Sequence, residues 1–236
     1  MAIFLFIHGA FYGGWCWKKV KTILENKGHR VYTPTLSGLG ERSHLNHSLI
    51  TVDTHIQDIK NVILFEDLKD IIIIGHSYGG LIITGIASVM PERIKQLIYL
   101  DALVPNDGDS LLSLVDDETA QFFVSQAREK GFGWLVPSLV ITKDYFSDPG
   151  DVKWCSSRVM PQTLLSFSQE VTFSEKVVYN LSSLFIFCSQ NPHPTLIKMK
   201  ERANQRGWKY FEIESNHFPM IEHPEKLSNL LIEITN

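Results

Sequence analysis

Short, mostly apolar runs alternate along this chain with stretches whose apolar residues recur every three or four positions. The runs are 3–7 (IFLFI), 29–33, 71–74 (IIII), 96–100, 184–188 (LFIFC) and 209–213. Such continuous runs predict strands buried on both faces, as in a parallel sheet. The stretches between them predict helices. Segment 17–26 stops at Lys27-Gly28, and 54–65 sets Ile56, Ile59 and Ile63 on one face. Segment 80–89 stops before Met90-Pro91, 195–206 stops before Gly207, and 224–235 closes the chain. Strands alternating with helices of this length indicate βαβ units.

The rhythm breaks between 105 and 182. That stretch has a helical pattern at 121–129, but Asp, Ser, Pro and Gly clusters punctuate the rest. It is rich in aromatic residues, including Phe122, Phe123, Phe132, Trp134, Tyr145, Phe146, Trp154, Phe167 and Phe173. An insertion of this size entered just after a strand predicts a small helical cap over the carboxyl edge of the sheet. The expected organisation is a core of 1–104 and 183–236 with a cap of 105–182. Within the aromatic set, Phe11 after the first strand and Trp134 in the cap are the candidate substrate-binding residues.

Composition narrows the class only slightly. The 236 residues are 44% hydrophobic and 20% charged, enough for one sizeable α/β core. A net charge of −4, with no basic run, argues against nucleic acid or an anionic membrane as partner. Cys16, Cys155 and Cys188 are few, odd in number and widely spaced, which predicts buried thiols and neither a disulfide framework nor a zinc site. The apolar start MAIFLFIHGA lacks a basic leader and is too short to span a bilayer, so a cytoplasmic protein is expected.

The chemistry begins where the isoleucines stop. Gly75-His76-Ser77-Tyr78-Gly79 matches G-x-S-x-G between an expected strand and an expected helix, the context in which the motif presents a nucleophile on a tight turn. The following helix directs free N–H groups and its positive end toward Ser77. A serine hydroxyl needs a base. Nine histidines compete. His29, His44, His47 and His55 read as surface or loop residues, His76 as a packing or hydrogen-bonding residue, and His193 and His223 as turn and helix-start residues. His217 lies between the last expected strand and the last helix, where the chain order Ser, acid, His puts the base. The glycine-bearing loop His8-Gly9-Ala10 after the first strand can bring a backbone N–H beside the serine, so the N–H groups of Ala10 and Tyr78 are the candidate oxyanion hole.

HGAFYGGWCWKKV, TPTLSGLGERSHL, GHSYGG and SNHFPM together resemble the α/β-hydrolase fold, and most closely the branch of plant methylesterases, hydroxynitrile lyases and small bacterial esterases. The likeness spans nearly the whole chain, more loosely in the cap. It implies a mostly parallel central sheet flanked by helices, a helical cap and a Ser-His-Asp hydrolase. That branch usually places its acid just after the penultimate strand, where this chain has Asn191, and an amide cannot offset an imidazolium charge. Asp101 is the alternative acid. It ends the strand after the elbow helix, which should lie beside the elbow strand and finish on the same edge. Asp107 and Asp109 are rivals, and a chain without a usable acid is the remaining reading.

Hydroxynitrile lyases of the branch carry a threonine after the first strand and a lysine just after the catalytic histidine. Gly9 and Phe218 stand there. Ester hydrolysis therefore ranks above lyase chemistry, and above an apolar-ligand receptor with a blunted triad. The expected substrate is a small carboxylic ester with an apolar or aryl group; lactones and thioesters use the same triad. No metal cluster or G-x-G-x-x-G is visible, so no cofactor is expected. A homodimer is the one macromolecular association kept as a candidate.

Overall fold

The computed structural model describes residues 1–190 and 193–235. Its eight strands are β1 (Ile3–Ile7), β2 (Arg30–Tyr32), β3 (Ile71–His76), β4 (Ile94–Leu100), β5 (Leu135–Val136), β6 (Gln162–Thr163), β7 (Ser183–Cys188) and β8 (Lys209–Ile213). The helices are α1 (Lys18–Asn26), α2 (Val52–Phe65), α3 (Gly79–Val89), α4 (Leu111–Leu114), α5 (Asp117–Lys130), α6 (Pro149–Ser156), α7 (Leu164–Ser168), α8 (Glu175–Val178), α9 (Pro194–Gln205), α10 (Pro219–Glu222) and α11 (Pro224–Thr235).

Six strands form one sheet in the order β2-β1-β3-β4-β7-β8, every neighbouring pair parallel. Every residue of β3 is buried, as are the last four of β1. A central parallel strand is covered on both faces, so apolar, β-branched side chains are favoured at every position. Edge strand β2 is only three residues long, shorter than the apolar run suggested, because Arg30 is exposed and the pairing with β1 ends at Tyr32.

The order reverses at β1, which lies between β2 and β3. In open α/β sheets such a switch point leaves a crevice at the carboxyl ends of the strands. Here the loop after β1 and the turn after β3 sit side by side. A β-carbon on Gly9 would lie 3.0 Å from that of Ser77.

The segment between β4 and β7 supplies α4 to α8 and the antiparallel pair β5-β6. Aromatic side chains tie it to the core: Phe11 meets Phe167 edge-on at 5.6 Å and lies 6.3 Å from Phe123. No described helix is long and apolar enough to cross a membrane.

Candidate active site

Ser77 is the first residue beyond β3. Its φ of +52° lies in the left-handed region, unusual for a side chain with a β-carbon. The strain is held by backbone bonds: the Ser77 carbonyl accepts from the N–H groups of Gly80 and Leu103, both at 3.0 Å. The motif glycines are set by close approach. A β-carbon on Gly75 would stand 2.7 Å from the Gly79 carbonyl oxygen, and one on Gly79 would stand 2.8 Å from that of Ile7.

His217 follows β8 and precedes α10. Its Nδ1 lies 2.7 Å from Oδ2 of Asp101. An ionised carboxylate only accepts, so Nδ1 carries the proton and Nε2 keeps its lone pair. Asp101 is fully buried at the end of β4, with a φ of +44°. Its Oδ1 accepts the Cys188 N–H at 3.2 Å, and its own N–H donates to the Ile186 carbonyl at 2.7 Å. Neighbouring strands β4 and β7 thus aim the carboxylate at the histidine. The rival acids are engaged elsewhere. Asp107 accepts the Phe173 N–H, and Asp109 pairs with Arg202 at 2.8 Å. Asn191, at the branch's usual acid position, lies outside the described residues.

Ser77 and His217 line one cavity of about 470 Å³ with Gly9, Ala10 and Phe11. Its walls are mostly apolar. Leu103, Leu111, Val115, Phe123, Tyr145 and Phe218 contribute, and the described lining contains no lysine or arginine. Trp134 is absent from this lining. It sits half-buried before β5, where its carbonyl accepts the Leu164 N–H. Aromatic content pointed to the insertion but could not say which ring turns inward. Phe123, on α5, and Tyr145 do so.

Ala10 lines the cavity beside Ser77, and Tyr78 caps the start of α3. The Gly9–Ala10 peptide is held from behind. His8 donates from Nδ1 to the Gly9 carbonyl at 2.9 Å, while its Nε2 accepts the Leu36 N–H at 3.1 Å. In a trans peptide the carbonyl and the following N–H point in opposite directions, so the bond to Gly9 also orients the Ala10 N–H.

Tyr78 is anchored in a comparable way. The sequence pointed to a surface or loop role for His55, but it is buried on α2. Its Nε2 donates to the Ser37 carbonyl at 3.1 Å, so its Nδ1 accepts from the Tyr78 hydroxyl at 2.9 Å. No local pattern signalled this partner, because the two residues are joined only by the packing of α2 on α3. His76 also turns inward, donating from Nε2 to the His217 carbonyl at 2.7 Å.

These buried rings are neutral. Desolvation pushes His8 and His55 from the usual 6.5 down to about 4, and it drives His76 well below 6.5, assisted by neighbouring His217. A depressed histidine stabilises the fold above its unfolded value, and that contribution is lost as pH falls toward the folded one. Unfolding free energy should therefore decline between about pH 6.5 and pH 4, by about 3 kcal/mol for each of His8 and His55. Urea midpoints across that range check this. An unchanged midpoint between pH 7 and pH 4.5 would mean that the rings already bind protons in the folded state.

Residues 4–230 match the profile of the Alpha/beta hydrolase family. The chain is 34% identical over 241 residues to the carbendazim hydrolyzing esterase of Nocardioides sp. (strain SG-4G), with 98% of each covered. It is 24% identical to methylesterase 7 of Arabidopsis thaliana, covering 99% of this chain and 96% of the relative. Among solved structures, an extracellular alpha/beta-hydrolase from a Paenibacillus species superposes with a TM-score of 0.85 at 21% identity, covering 99% and 98% of the two chains. That protein is described as sharing structural and functional homology with tobacco Salicylic Acid Binding Protein 2.

Proposed function

The chain belongs to the alpha/beta hydrolase family and is a carboxylesterase-type enzyme; from that premise we propose that it cleaves small, neutral carboxylic esters through Ser77, His217 and Asp101. The observation that carries this reading is the 2.7 Å bond between His217 Nδ1 and the buried Asp101, with His217 and Ser77 facing the same cavity. With Nδ1 committed to the carboxylate, Nε2 is the base.

In this mechanism Ser77 Oγ attacks the ester carbonyl carbon as its proton passes to His217 Nε2. The carbonyl oxygen becomes an oxyanion, which the N–H groups of Ala10 and Tyr78 bind. Collapse breaks the bond to the alkoxy oxygen. His217 returns the proton to the leaving alcohol, leaving an ester on Ser77. A water molecule then attacks under the same base and releases the acid and free Ser77. Asp101 stays ionised and stabilises the imidazolium that forms in each half.

The apolar lining without lysine or arginine supports an uncharged substrate, such as a methyl or aryl ester with an apolar acyl group. The carbendazim hydrolyzing relative and the methylesterases favour the same class. An anionic acyl group would find no lysine or arginine in the described lining and would face Asp144. p-Nitrophenyl butyrate should therefore be hydrolysed with a higher kcat/KM than an analogue carrying a free carboxylate. The wild type should give a burst of p-nitrophenol equal to the enzyme concentration, and Ser77→Ala should abolish it. Ligand binding without turnover by the wild type would refute hydrolysis and favour a receptor.

A further inference from the structure

Gln162 reaches the candidate oxyanion loop from β6 of the insertion. It is 2% exposed, and its Oε1 accepts the N–H of Phe11 at 2.9 Å across a separation of 151 residues. Its amide orientation is fixed from the other side. Nε2 donates to Ser166 Oγ at 3.0 Å, and Ser166 Oγ donates to the Thr163 carbonyl at 2.8 Å, so Oγ is an acceptor toward Gln162. Thr163 and Ser166 are buried as well. A buried amide is costly unless hydrogen-bonded. Here its polar atoms are engaged with the Phe11 N–H and Ser166, close to where Ser77 would react.

Phe11 itself has a φ of +68°, a conformation that a bulky residue adopts only under constraint. The constraint comes from both its peptide groups. Gln162 takes the N–H, and the Met160 N–H donates to the Phe11 carbonyl at 2.9 Å. Meanwhile His8 holds the Gly9 carbonyl. The backbone angles of Ala10 are defined by the two peptide planes on either side of it. One plane, Gly9–Ala10, is fixed by His8. The other, Ala10–Phe11, is fixed by Gln162.

We propose that Gln162 is a positioning residue for the oxyanion hole: by holding the Phe11 N–H it locks the peptide plane after Ala10, and with His8 holding the plane before it the two anchors together keep the Ala10 N–H facing the developing oxyanion. This rests on the assignment of Ser77 as nucleophile and Ala10 as donor. The insertion thereby completes the chemistry in addition to walling the cavity. Loss of the Oε1 acceptor leaves Phe11 free to relax out of its left-handed conformation, and the Gly9–Ala10 plane is then held by His8 alone. The ester still binds, because Leu111, Phe123, Tyr145 and Phe218 still wall the cavity, but the tetrahedral state loses an aligned donor.

The test is Gln162→Met, which keeps the length of the side chain and removes the acceptor. Rates on p-nitrophenyl butyrate are taken per active site titrated. Expected is a kcat lowered about 10- to 100-fold, less than or comparable to deletion of an oxyanion donor, with KM within about twofold of wild type. Affinity for phenylboronic acid, which forms a tetrahedral adduct on serine, should weaken in parallel with kcat/KM. Inhibition by p-nitrophenol, a ground-state ligand, should not change. A packing role alone would shift thermal stability and leave this split unmoved. If Gln162→Met does not fold, Gln162→Ala is measured and should show the same split with a smaller loss, since water can replace the acceptor. The proposal is overturned if the folded variant keeps kcat within about twofold of wild type, or if p-nitrophenol and phenylboronic acid weaken together. Ser77→Ala separates the two readings. An active Ser77→Ala enzyme sinks the serine mechanism, whereas an inactive Ser77→Ala beside a fully active Gln162→Met sinks only this inference.

Discussion

Replacing Asp101 by alanine is expected to lower kcat by about four orders of magnitude, with KM little changed. The expectation follows from burial and partner. Asp101 is fully inaccessible to solvent, and its Oδ2 lies 2.7 Å from His217 Nδ1. Without it, the imidazole can take the wrong tautomer, and the imidazolium of each proton-transfer step has no counter-charge. Asp101→Asn should fare little better, because an amide can bond to the ring without offsetting its charge. The alanine variant also leaves the buried Cys188 N–H without the Oδ1 acceptor, at a cost of about 1–3 kcal/mol. A thermal melt must accompany the kinetics, so that lost activity is not lost fold. Near-full activity in a folded Asp101→Ala enzyme would return the question to the region of Asn191.

Gly80→Ala is expected to destabilise the fold strongly. Gly80 is in the first turn of α3, pressed against the loop that continues from Asp101. A β-carbon there would sit 2.0 Å from the Leu103 carbonyl oxygen and 2.9 Å from its carbon. Both are backbone atoms, so no side-chain rotation relieves the overlap. Either α3 or the 101–104 loop must move, and Ser77 is bonded through its carbonyl to the N–H groups of both Gly80 and Leu103. The expected loss is about 3 kcal/mol or more, read as a lower urea midpoint, with activity falling in whatever fraction folds. An unchanged midpoint would mean that the contact between helix and loop is looser than the structure has it.

Much of this architecture is legible in the sequence because its causes are local. Doubly buried strands demand unbroken apolar runs, so IFLFI, IIII and LFIFC mark β1, β3 and β7 within a residue or two. The elbow is legible because its glycines are spaced by the approach of strand and helix. Asp101 could be suggested from topology alone, since a strand following the elbow helix returns to the same sheet edge. Tertiary partnerships between distant segments were not legible. His55 looks like a polar residue on an amphipathic helix until α2 packs on α3 and sets it against Tyr78. Gln162 lies between Met160-Pro161 and Thr163-Leu164 with no periodic signal, and only the fold brings it to Phe11. Trp134 and Phe123 are equally aromatic in sequence, yet of the two Phe123, on α5, lines the cavity.

The central claim is that Ser77 is a nucleophile activated by His217. Reaction with a fluorophosphonate, followed by peptide mass mapping, tests it most directly. A single stoichiometric adduct on Ser77, formed rapidly by the wild type and slowed at least about 10³-fold in His217→Ala, is the predicted result. A wild-type enzyme that stays unlabelled at Ser77, or a His217→Ala variant labelled as fast as wild type, would contradict it.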